Sequence, residues 1–220
     1  MDNCFIMFKG KVFRQIIGIP MGIDPAPFIA NLFLHFYENK YINSLINSGN
    51  LTLAYKLARI FRYLYDLLGL NDCGNFLKVC KTIYPSELIL SCTDNLNVQA
   101  DYLDLNLSIE NEFFSSKLFD KRDNFSFKVI NFPCMKYSNI PSEPSYGIYL
   151  SQILRICRNC TNVHDFNESL IKLTDQFLDK SFKVNKLYKI FLKFINNYEK
   201  EWCKFGALPG TPHAFDSIET

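Results

Sequence analysis

The residues with the clearest chemical content lie at two places. Asp66, in the run Phe61-Arg62-Tyr63-Leu64-Tyr65-Asp66-Leu67, offers a carboxylate, a hard oxygen ligand suited to a divalent cation such as Mg²⁺. Its neighbour Tyr65 offers a phenol, whose ordinary pKa of about 10 keeps it neutral at pH 7 and unfit to replace an anionic ligand. The second place is Gly18-Ile19-Pro20-Met21-Gly22, where the fixed φ of Pro20 and the freedom of Gly22 let backbone approach a ligand closely. Cys157-x-x-Cys160 with His164 has zinc-like spacing on one side only, and no second pair is placed to finish a tetrahedral site.

Several elements must position these groups. Cys4–Phe8 and Lys11–Ile16 flank a Lys9-Gly10 turn and read as a β-hairpin feeding the Gly/Pro loop. From Phe28 onward, Ile29, Leu32, Phe33, Phe36 and Tyr37 recur at intervals of three and four, so the spacing predicts a helix with that stripe on a core and Asn31, His35 and Glu38 off it. Asp24 before Pro25 is a candidate cap. The run from Ile60 to Leu68 is nearly continuous in apolar residues, so on its own it also fits a buried strand or helix segment with Asp66 incidental. Asn75–Lys81 has short helical character, and Ile83–Leu90 is strand-like. Tyr102–Ile109 alternates as a half-buried strand that pairs with Phe113–Phe119.

The segment Phe8–Gln15, followed by Gly18–Gly22 and by Ala26-Pro27-x-x-Ala30-Asn31, resembles motif B of reverse transcriptases. Phe61–Leu70 resembles motif C, the aromatic-x-Asp-Asp hairpin, with Tyr65 at the position of the first aspartate and Asp66 at the second. Ala100–Ile109 and Phe113–Arg122 resemble the region after the palm in retroelement polymerases, most like those of Penelope-like elements. The three blocks stand in the family's order over residues 5 to 160.

The resemblance implies an α+β fold, a partial polymerase palm of antiparallel strands with the motif B helix, followed by an α-helical thumb-like region. It places Gln15, Pro20, Met21 and Gly22 against incoming nucleotide and template, with Asp66 as the surviving metal-side carboxylate. It further implies Mg²⁺ in the ancestral enzyme, and an RNA template, DNA primer or RNA–DNA hybrid as partners. Nothing in the chain aligns with motif A, so the expectation is an N-terminally truncated domain. With the motif A aspartate absent and Tyr65 replacing a ligand, we expect no polymerisation and no productively bound metal. Lys121 and Arg122, near the implied primer grip, are expected on the nucleic-acid backbone or in a surface salt bridge.

Amphipathic helical patterns fill the later chain, around Ile148–Cys157, Leu170–Leu178 and Val184–Tyr198. In the last, Lys183, Lys186, Lys189 and Lys193 share a face and could meet phosphates, or form an ordinary solvated face. Turn-rich residues predict a junction at 131–147, so the expected organisation is 1–130 partial palm with its hairpin, 148–206 thumb-like helices and 207–220 a disordered tail. The chain's 220 residues carry a formal charge of only +2, which by itself does not advertise nucleic-acid binding. The eight cysteines are scattered in apolar surroundings and read as reduced core thiols. With no signal sequence and no membrane-length apolar run, the chain is expected to be intracellular, nuclear or cytoplasmic. Three functional readings stand: an inactive reverse-transcriptase remnant, a non-catalytic nucleic-acid-binding protein derived from one, and a plain α+β interaction domain.

Overall fold

The computed structural model describes residues 4–20, 22–70, 75–91, 99–110, 113–127, 129, 131–136 and 139–218. Its architecture is mixed α+β, with small antiparallel sheets and a set of helices. The chain divides into two compact units, Met1–Cys92 and Thr93–Thr220.

The first unit opens with β1 (Phe5–Phe8) and β2 (Lys11–Arg14), antiparallel with Phe5 opposite Arg14 and Phe8 opposite Lys11. Lys9 and Gly10 both have positive φ, 48° and 74°, the geometry a two-residue hairpin turn demands. Helix α1 (Ala26–Asn47) starts with Pro27 in its first turn and Pro25 as its cap residue. Asp24 makes no capping hydrogen bond; the proline-set backbone turn, with Ala26 N–H donating to Ile23 O at 3.0 Å, starts the helix instead. Helix α2 (Leu51–Leu57) is capped by Asn50, whose side chain accepts from Leu53 N–H. Strands β3 (Phe61–Tyr63) and β4 (Asp66–Leu68) form a hairpin, and α3 (Asn75–Ile83) follows.

The expected core face of α1 is corrected. Phe28, Leu32 and Phe36 are 70%, 58% and 60% exposed. Of the expected stripe Tyr37 does pack on a small core of Leu57, Ile83 and Tyr84, and Leu34, Tyr41, Ile42 and Leu45 join it there. Apolar residues lie around much of the helix's circumference, so their spacing does not single out one buried stripe. Ile83–Leu90 is not a strand either: α3 runs to Ile83, a turn at Pro85 follows, and Ile89 is exposed.

The second unit begins with a three-stranded meander, β5 (Gln99–Tyr102), β6 (Leu105–Glu110) and β7 (Phe113–Leu118). Leu103, with φ 55°, and Asp104 turn the chain between β5 and β6, so the strand expected over 102–109 is two strands. A 3₁₀ turn (Lys121–Asn124) leads on to α4 (Ser142–Asn159), α5 (Val163–Asp179) and α6 (Val184–Asn197), matching the three helical patterns in the sequence. α7 (Glu199–Trp202) and two further 3₁₀ turns end the chain. The core is aromatic-rich: Tyr149, Ile153, Phe166, Leu170, Phe177, Leu187, Phe194 and Phe215 are fully buried.

Two expected boundaries shift. The sheet β5–β7 belongs with the helices, since Ser116 bonds to Asn159 O through its hydroxyl and exchanges backbone and side-chain bonds with Thr161. Residues 131–136 are no free junction: Phe132 lies 4.5 Å from the Phe177 ring, and Met135 N–H donates to Lys180 O. The tail expected to be disordered packs through Phe215, which meets Tyr188 and Phe191, while Gly210 N–H donates to Asn167 at 2.9 Å. Phe215, with the buried Pro209 and Pro212, anchors this Pro/Gly-rich stretch.

Candidate nucleotide and nucleic-acid surfaces

In the first unit, the β3–β4 hairpin turns over two residues, Leu64 and Tyr65, with Tyr63 opposite Asp66. Leu64 takes φ 53°, a left-handed conformation uncommon for a leucine. The turn leaves Tyr65 66% exposed and Asp66 half-buried beside it. Among the described residues, Asp66 belongs to no cluster of three metal-ligand side chains. One carboxylate beside a tyrosine does not fit a pair of hard divalent ions, which need several carboxylate oxygens between them.

The Gly/Pro loop closes on itself. Gln15 donates from Nε2 to Ile17 O at 3.1 Å, and its side chain lies against Gly18, whose φ of 89° suits glycine. Pro20 is half-buried, Gly22 is exposed with open space where a Cβ would stand, and Met21 lies outside the described residues. No hydrogen bond or ion pair joins Gln15, Pro20 or Gly22 to Tyr65 or Asp66.

Sequence reasoning missed the side chains that hold the hairpin. Arg62 donates from Nη1 to Asn31 Oδ1 at 2.6 Å and to Leu64 O at 3.3 Å, and from Nη2 to Asn31 O at 3.3 Å. Its Nε lies 2.9 Å from Glu38 Oε1, an ion pair without hydrogen-bond alignment. Tyr84 donates its hydroxyl to the same Glu38 oxygen at 2.7 Å, and burial, reinforced by that bond, pushes its phenol far above the ordinary range. The signal was available: a lone arginine in an apolar run, with Asn31 and Glu38 two helical turns apart on one side of α1.

In the second unit the cations divide into two groups. Arg122 is clamped by Asp120, with Nε 2.7 Å from Oδ1 and Nη2 2.6 Å from Oδ2. Those bonds hold the Asp120 carboxyl below its ordinary pKa. Arg155 pairs with Asp104, Arg158 with Glu201 and Lys172 with Asp123. Arg122 therefore fills the salt-bridge role, while Lys121 is exposed. The α6 lysines differ. Lys183, Lys186, Lys189 and Lys193 are all exposed, and none has an acidic partner among the described residues. Lys186 lies over the Tyr146 ring at 5.0 Å, and Lys183 N–H donates to the Tyr146 hydroxyl, which ties the start of α6 to α4.

The half-site for zinc is not assembled. Cys157 and Cys160 are fully buried, and desolvation pushes the Cys157 thiol up to about 11 and Cys160 upward too. His164 is exposed and lies beside Asp165 and Glu168 at the start of α5 rather than beside the thiols. No helix among the described residues is long and apolar enough to cross a membrane. No protein-family model, curated protein or solved structure matches the chain.

Proposed function

We propose that the chain is a reverse-transcriptase-derived domain of retroelement origin, of RNA-directed DNA polymerase ancestry, that no longer polymerises. The observation that carries this reading is the β3–β4 tip: a two-residue hairpin turn sets Tyr65 directly before Asp66, where the resembling motif has two adjacent aspartates. In a working polymerase, two Mg²⁺ ions activate the primer hydroxyl and stabilise the leaving pyrophosphate. Tyr65 brings no carboxylate, so this tip lacks the second hard anionic donor that chemistry requires. The test is extension of a DNA primer on an RNA template by the purified chain in Mg²⁺ or Mn²⁺. No extension is expected; extension that disappears in Asp66→Ala overturns the reading.

A second reading, non-catalytic binding of an RNA–DNA hybrid, is favoured by the α6 lysines. Exposed cations without acids are free to neutralise phosphate, whereas the arginines of the same unit are already paired. If all four lysines reach phosphates, log affinity falls against log salt with a slope of about −3 to −4. Absence of binding at low salt removes this reading.

A further inference from the structure

We propose that Arg62 is the positioning residue of the β3–β4 tip, fixing the turn that displays Tyr65 and Asp66 to the face of α1 through Asn31 and Glu38. The geometry is that of a fork. One guanidinium meets the Asn31 side chain and its backbone carbonyl, the Glu38 carboxylate, and the carbonyl of Leu64 inside the turn itself. Leu64 is the residue in a left-handed conformation, so the bond to its carbonyl offsets strain at the point where the tip reverses. A two-stranded hairpin of three-residue strands is marginal alone, and Phe61, Tyr63 and Tyr65 are all more than half exposed and bury little. Ile60 and Leu67 anchor the base of the hairpin on the Leu57, Ile83 and Tyr84 core, and the polar fork adds the contacts nearest the turn that set where the tip points. Glu38 is itself held from the far side by Tyr84, so α1, the hairpin and the residue after α3 form one connected body.

Asparagine and glutamate have separable parts. Glu38 supplies charge to a largely buried cation, which maintains stability; Asn31, exposed on α1, supplies two acceptors that orient it. Lysine at position 62 would keep a charge opposite Glu38 but could not reach Asn31 and Leu64 together. The proposal concerns only the placement of the tip and holds whatever the outcome of primer extension.

Hydrogen-exchange mass spectrometry on the full chain tests it, with α4–α6 as internal reference. Asn31→Ala and Arg62→Lys are expected to speed exchange across 61–68 by about fivefold or more, with α2, α3 and α4–α6 unchanged. Asn31→Asp, which keeps the acceptor, is expected to restore protection to within about twofold of the natural chain. Unchanged protection at 61–68 in Asn31→Ala overturns the proposal even if Arg62→Lys does not fold. Equal loss across α2 and α3, or no rescue by Asn31→Asp, also overturns it, because either marks a general stabilising role rather than placement of the tip.

Discussion

The two units hold themselves together by different means. In the second, eight or more large side chains reach full burial, and the arginines are paired with acids at the rim. In the first, the buried cluster among the described residues is Leu57, Ile83 and Tyr84, and a polar fork at Arg62 does part of the joining. The apolar residues that could enlarge that core face outward instead: Met7 is 76% exposed, Ile16 84% and Phe28 70%. The contrast teaches that apolar content does not measure core size. The first unit is as rich in phenylalanine and isoleucine as a core needs, yet its hairpins and its long helix bury little of it. Exposed apolar surface on this scale favours association, so the first unit should be the source of any concentration-dependent aggregation.

Core deletion breaks the comparison most sharply. Phe177→Ala or Phe215→Ala is expected to cost about 3–5 kcal/mol of stability in the second unit, read by thermal or denaturant unfolding. Phe28→Ala, at an exposed position of α1, should cost within about 0.5 kcal/mol. Comparable losses at Phe28 and Phe177 would contradict the burial pattern. Next in size is Arg62→Leu, which strands Glu38 with only the Tyr84 hydroxyl. About 2–4 kcal/mol is expected, below the fully buried range because both side chains keep some exposure. Adding Glu38→Leu and Tyr84→Phe, which leaves neither the carboxylate nor the Tyr84 hydroxyl unpaired, should recover part of the loss, as measured by a mutant cycle.

Replacing Lys183, Lys186, Lys189 and Lys193 together with alanine should leave unfolding of the second unit nearly unchanged while abolishing salt-sensitive binding to a hybrid, measured by fluorescence anisotropy. The smallest effect concerns acid. Arg122 holds the Asp120 carboxyl below its unfolded pKa, so its contribution is fully present above that unfolded value and is lost as pH falls through the lower folded one. Asp120→Asn should therefore flatten the acid limb of a stability–pH profile slightly, by no more than about 1 kcal/mol for a partly exposed pair.

Much of this was legible in the sequence, for specific reasons. The first hairpin followed from Lys9-Gly10 between apolar runs, and the three long helices from clean three-and-four periodicity. In α1 the same periodicity placed Tyr37 on the core but misled at Leu32 and Phe36, because apolar residues surround the helix and only tertiary contact selects Tyr41 and Leu45. The unit boundary at 92/93 was missed because the β5–β7 sheet was assigned by resemblance to the palm, whereas its hydrogen bonds run to Asn159 and Thr161. The Pro/Gly content of 207–218 suggested disorder, but Phe215 outweighs it by filling a slot against α6. At the candidate site, Tyr65 and Asp66 were readable as residues, yet the turn that displays them depends on Arg62 meeting Asn31 and Glu38, on a distant helix and joined to it only by folding.

The proposed reading is of a reverse-transcriptase-derived hairpin tip without polymerase chemistry. Single-nucleotide addition to a labelled DNA primer annealed to RNA, with the full chain in Mn²⁺, tests it most directly. No extended product is expected. A product made by the natural chain and lost in Asp66→Ala would contradict it.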